Sequence, residues 1–179
     1  MVKARKILSD RKAPYIQSLM KLIETQSKVT LAHWAINYSE QVLLPLWIKH
    51  NPNDVRPQNA LNAAREWLLG TIKLPQAKLA ILECHAAARE VNKNPVAQAS
   101  ARAVGQSAST IHSARHCIGL AFYGALAVAY DQLGSTAPWV KIEQFAIEEC
   151  GRMETALRAI AVNNEENPAK IDWKGDCSN

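Results

Sequence analysis

Apolar positions recur at helical spacing along most of the chain, and nowhere do they alternate with polar ones as a half-buried strand requires. Leu19, Leu22 and Ile23 form one stripe and predict a first helix from near Asp10 to about Gln26. Thr30 is a candidate N-cap for a second helix, whose stripe runs through Trp34, Tyr38 and Val42 to Trp47. Pro45 falls inside this pattern and predicts a kink or an end, because proline lacks an amide hydrogen and crowds the preceding turn. Asn51-Pro52-Asn53-Asp54 then reads as a loop.

Proline marks the next starts. Pro57 suits the first turn of a helix over 57–70 closed by Gly70, Pro75 opens one over 75–92, and Asn94-Pro95 opens another. No proline follows Pro95 until Pro138, and up to Tyr130 only Arg102 and Arg115 carry fixed charge. An unbroken helix from Pro95 to Leu133 would be ~58 Å long, too long for a compact domain. A break is therefore expected at Ser107–Thr110, where Ser107, Ser109 and Thr110 can cap. Residues 116–130 hold no fixed charge and predict a buried central helix, with Gly119 and Gly124 admitting close neighbours. A loop at 134–138 precedes a last amphipathic helix over 138–163. The fold class is all-α: a compact single-domain bundle of about six or seven helices over 1–163, with a polar C-terminal tail at 164–179. The tetrapeptide Ala-Ala-Arg-Glu at 63–66 and 87–90 adds the option of stacked helical hairpins.

Composition narrows this further. The 179 residues suit one domain, and 48% hydrophobic with 21% charged residues excludes a disordered chain. Twenty-eight alanines against 7 glycines and 2 phenylalanines favour close-packed helices over sandwiches or barrels. No apolar run approaches the ~18 residues of a spanning helix, so no membrane partner is expected. The net charge of +5 sits entirely in residues 1–28, where Lys3, Arg5, Lys6, Arg11, Lys12, Lys21 and Lys28 face only Asp10 and Glu24. Such an arm can touch phosphate, but no aromatic residues interleave it, and a solvated first helix explains it better than nucleic acid does. Cys84, Cys117, Cys150 and Cys177 form no CxxC pair, and no export signal precedes them. Reduced thiols in a cytoplasm are the simplest expectation, three of them as core fillers.

Candidate chemistry centres on His112-Ser113-Ala114-Arg115-His116, whose two histidines at i and i+4 would share one helical face. Ser113 stands where a zincin needs glutamate, so that motif fails. A metal-binding reading would add His85, with Glu83 or Glu40 as a carboxylate. Arginine also recurs inside alanine-rich helices, at Arg65, Arg89, Arg102 and Arg115. His85 and Arg89 share a face, as do Asn37 and Glu40. These groups form either an internal polar network or a pocket for a ligand or a partner's side chain. Nucleophile elbows and phosphate-binding glycine loops are missing, and Glu148–Glu149 and Glu165–Glu166 read as solvated faces. No cofactor and no catalytic residue is assigned.

Four stretches together resemble a known family: LAHWAINYSEQVLLPLW (31–47), NPNDVRPQNALNAAREWLLG (51–70), ECHAAARE (83–90) and NPVAQASARAVGQSASTIHSARHCIGLAFYGALAVAY (94–130). They are similar to the all-helical immunity proteins of bacterial polymorphic-toxin systems, over about residues 30–130. The most specific pieces are Trp34…Glu40…Pro45, Arg56-Pro57…Arg65…Trp67…Gly70, His85…Arg89, and Arg102…Gly105…His112…His116…Gly119. Where Asn37 stands the family commonly carries an acidic residue, so one candidate carboxylate is missing here. The resemblance implies a cytoplasmic, non-catalytic protein that binds and blocks a cognate toxin, with its oligomeric state open. It draws attention to a polar cluster of Trp34, Asn37, Glu40, Arg56, Arg65, His85, Arg89, Arg102, His112 and His116 that reads as mostly internal. The alternatives are a metal-binding helical protein using His85, His112 and His116, or a helical scaffold with a basic N-terminal arm.

Overall fold

The computed structural model describes residues 4–9 and 11–174. Its helices are α1 (Pro14–Ile23), α2 (Lys28–Tyr38), α3 (Leu44–His50), α4 (Arg56–Leu68), α5 (Leu74–Glu90), α6 (Pro95–Ser109), α7 (Ala125–Leu133) and α8 (Trp139–Ile160). A π turn at Ser39–Leu43 joins α2 to α3 in one rod, so the described residues form seven helices and no strand. The all-α bundle read from the sequence is the fold observed.

Proline punctuation sets most of the starts. Five helices carry proline in their first two positions, where its missing amide hydrogen costs nothing. Asn94 caps α6 by accepting from the Ala97 amide at 3.1 Å. The cap of α2 is Ser27, which accepts from the Thr30 amide at 3.3 Å, so the cap lies three residues before the predicted Thr30. The first helix begins at Pro14, and the predicted start at Asp10 lies outside the described residues. Gly70, at φ +74°, closes α4: its own amide donates to Trp67 and that of Thr71 donates to Glu66.

Pro45 neither ends nor sharply breaks its rod. The π turn just before it widens the coil, which relieves the clash of the proline ring with the preceding turn. Two serines of α6 fasten this turn: Ser100 donates to the Leu43 carbonyl at 2.7 Å, and Ser39 donates to Ser107 at 2.7 Å.

The predicted break after α6 falls where expected. The serine and threonine hydroxyls there do not cap a following helix, however. Ser109 bonds back to the Gly105 carbonyl at 2.8 Å and Thr110 to that of Gln106 at 3.3 Å, within the turn they terminate. A 3-10 turn (Ala114–Ile118) and a π turn (Leu120–Gly124) then lead into α7. This segment is buried as its lack of charge implied, but it is not one α-helix. Helix α6 is also central, its small side chains buried at nearly every position from Ala97 to Ser109. A Cβ on Gly119 would meet Gln106 at 2.6 Å, and one on Gly124 would meet Leu43 at 3.0 Å. Cys84, Cys117 and Cys150 are all buried fillers; Cys177 lies outside the described residues.

At the ends, the chain is fastened to the bundle. The Leu8 amide donates to Phe122 at 3.0 Å and the Ala169 amide to Gln26 at 2.8 Å, while the Trp173 indole donates to Glu24 at 2.6 Å.

Candidate functional site

The residues singled out from the sequence divide into separate groups, and only Trp34 among the ten is fully buried. Its indole donates to the Met153 carbonyl at 3.0 Å and fixes α2 against α8. Arg65 forks onto both oxygens of Glu40 at 2.6 Å and reaches Asn37 at 3.0 Å, tying α4 to the α2–α3 rod. Arg56 meets Asp54 at 2.7 Å and Glu90 at 2.6 Å, joining the start of α4 to the end of α5. The Arg56 guanidinium holds both carboxyls below the usual carboxylate range, by hydrogen bonding first. These contacts hold helices together and leave no open coordination or reactive group.

His85, Arg89, Arg102, His112 and His116 do come together. His85 and Arg89 lie one turn apart on α5, and α6 packs alongside with no side chain at Gly105. A Cβ there would lie 2.6 Å from the His85 ring, so glycine is what lets the imidazole rest on the helix backbone. Past Ser109 the chain turns back and carries His112 and His116 over the same space, their ring centroids 5.2 Å apart. His112 sits in a turn and His116 in a 3-10 helix, so they do not share an α-helical face as the spacing predicted. His116 Nδ1 is 2.8 Å from Gln106 Oε1; an amide oxygen there assigns the proton to Nδ1.

His85, Arg89, His112 and His116 line a cavity of about 390 Å³ together with Gln106, Lys78, Ile81, Leu82 and Ser109, while Arg102 stands outside the lining. Every titratable lining group is a base. Burial, then neighbouring cations, push all three imidazoles below their ordinary range, and His116 falls to about 4. His112 Nδ1 and Arg102 Nε are buried with no hydrogen-bond partner among the described residues. No group of three or more His, Cys, Asp or Glu among those residues is placed to hold a metal ion. The three histidines line one cavity without converging on one point, and no carboxylate joins them. Nor does a nucleophile: the Ser109 hydroxyl is committed to the Gly105 carbonyl.

Sequence reading missed Lys78, Gln106 and Ser109 as lining residues, because only the tertiary packing of α5 on α6 shows which polar groups face inward. It also misread Glu149. This carboxylate is 3% exposed, accepts from the Tyr38 hydroxyl at 2.5 Å and pairs with Arg152 at 2.6 Å. Its place in the buried stripe Ile142, Ala146, Cys150, Met153 and Leu157 was the available signal. The basic arm is likewise engaged, with the Arg5 guanidinium 3.8 Å over the Trp139 ring.

Residues 21–156 match the family described as Imm-5 like putative immunity protein. The chain belongs to this family. The match takes in every helix from α2 to α7, most of α8 and the whole cavity, and leaves most of α1 and the C-terminal segment outside it. No curated protein and no solved structure matches this member of the family. No helix among the described residues is long and apolar enough to cross a membrane.

Proposed function

We propose that this chain binds a cognate bacterial toxin domain in the cytoplasm and neutralises it by occupying its surface, without catalysis of its own. The observation that carries the reading is the family match across 21–156. The organisation of the bundle supports it. Its interhelical polar contacts, among them Trp34–Met153, Arg65–Glu40 and Tyr38–Glu149, serve to join helices. On α5, Leu82 lines the basic cavity while 60% exposed, and Leu79, one turn earlier on the helix, is 66% exposed. Arginine is enriched at protein–protein contacts, and the exposed leucines beside it are apolar surface that a partner would cover.

The test is binding between purified proteins. The protein encoded by the neighbouring gene, mixed with the chain, is expected to form a stoichiometric complex by light scattering and to lose its toxic activity. Two proteins that elute separately at micromolar concentration, with the toxin fully active, would overturn the proposal.

A further inference from the structure

Beyond Arg5 and Arg11 near the N-terminus, the other seven arginines fall into two sets. Arg56, Arg65, Arg152 and Arg158 each meet a carboxylate at 2.6–2.7 Å. Arg89, Arg102 and Arg115 meet none among the described residues, and all three act on the imidazoles around the α5–α6 cavity. A cavity lined by cations and partly buried imidazoles, with no carboxylate in its lining, is electrostatically incomplete.

We infer that this cavity is a socket for the carboxylate of an acidic side chain presented by the partner protein, which makes it the polar anchor of the toxin interface and rests on the immunity reading above. The chemistry of the site fits this occupant. Arg89, Lys78 and the imidazoles supply donors, and guanidinium and imidazole nitrogens suit a planar carboxylate. His112 Nδ1, from the lining, has no hydrogen-bond partner among the described residues. At about 390 Å³ the space sits at the small end of ligand pockets, large enough for one side chain. The apolar flank of Leu79 and Leu82 favours a protein-borne carboxylate over a free phosphate, which has nothing to lay against it.

The same geometry sets a response to pH. The positive charges that act on these rings come from Arg89, Arg102 and His112 at His85, from Lys78 and Lys28 at His112, and from His112, Arg115 and His85 at His116. All are basic, so an entering carboxylate favours the imidazolium forms that the empty site disfavours. Binding then tightens as pH falls from neutrality.

The experiment is a titration of the histidine ring signals by NMR at constant ionic strength. The probes are N-acetyl-glutamate amide, its neutral isostere N-acetyl-glutamine amide, and inorganic phosphate. The glutamate probe is expected to move the His85, His112 and His116 signals saturably, while the glutamine probe does not. Arg89→Gln should weaken that binding about tenfold, the loss of one charge-assisted hydrogen bond. It should leave the unfolding midpoint unchanged, since Arg89 is exposed and unpaired. Equal responses to the two amides, tighter binding of phosphate than of glutamate, or an unaffected Arg89→Gln variant would each overturn the inference. A chain that binds toxin but not the glutamate probe keeps the immunity reading and loses the socket. One that binds the probe but no toxin loses the immunity reading and with it the assigned occupant.

Discussion

Replacing Gly119 by alanine adds one methyl group where the turn after α6 packs closely against that helix. That Cβ would lie 2.6 Å from Gln106 Cβ, 2.7 Å from Cγ and 3.3 Å from Cδ. A Gln106 Cβ cannot rotate away, because it is bonded directly to the α6 backbone. Relief therefore requires α6 to shift against the 3-10 turn, which also strains the 2.8 Å bond between Gln106 and His116. Overpacking of this kind costs about 1–3 kcal/mol, and a weakened buried hydrogen bond adds about 1 kcal/mol. The backbone at Gly119 is already helical, at φ −59°. Alanine therefore returns up to about 1 kcal/mol by restricting the unfolded chain. The net loss is about 2 kcal/mol, or about 4–8 °C in Tm for a chain of this size.

Gly151→Ala is the internal control, because nothing lies within 4 Å of its added Cβ on exposed α8. It should gain about 0.5–1 kcal/mol. Both variants are read by thermal and urea unfolding followed by circular dichroism. A Gly119→Ala protein as stable as the parent would refute the reasoning, most clearly if Gly151→Ala were stabilised in the same experiment. Gly105→Ala provides an intermediate case. Its Cβ meets only the His85 ring, the end of a rotatable side chain beside open space, so that ring's NMR signals should move more than stability does.

Other expectations follow from the buried polar groups. Tyr38→Phe leaves a Glu149 oxygen unpaired in the core and should cost about 1–3 kcal/mol by urea unfolding; an unchanged midpoint would show that this carboxylate reaches water. The imidazoles of His85, His112 and His116 are harder to protonate in the folded chain than in the unfolded one, so acid favours unfolding. Their contribution is complete above the ordinary value of 6.5 and is lost as pH falls toward the value of about 4 at His116. Urea midpoints taken across that range should fall, and His116→Gln should flatten the slope; an equal slope in both proteins would contradict it. Burial raises the Cys84 thiol and pushes Cys150 up to about 12, so these two and buried Cys117 should resist alkylation until the chain unfolds. Peptide mass mapping that found any of the three modified in the native protein would count against the packing described.

Much of the architecture was readable because its signals are local. Prolines at helix starts, Asn94 as a cap and Gly70 as a stop act within a few residues of themselves. The lack of charge in 116–130 announced burial correctly. It could not announce a 3-10 turn followed by a π turn, since those depend on how the chain fits against α6. Pro45 shows the same limit: its sequence position predicts a disturbance, but widening the coil into a π turn depends on the neighbouring helices. The cluster was legible in part. His85 with Arg89, and Asn37 with Glu40, follow from helical spacing, whereas the pairing of Arg65 with Glu40 joins separate helices and no local spacing shows it. Arg65 and Arg89 occupy the same place in two copies of Ala-Ala-Arg-Glu, yet Arg65 is paired and Arg89 faces an open cavity. Only the different neighbours of α4 and α5 separate those roles.

The immunity reading is tested most directly by growth. The protein encoded by the neighbouring gene would be induced in a bacterial host, alone and together with this chain, with both proteins confirmed by immunoblot. The account predicts arrest by the neighbour alone and restored growth when this chain is present. Arrest that persists at full expression of this chain would contradict it.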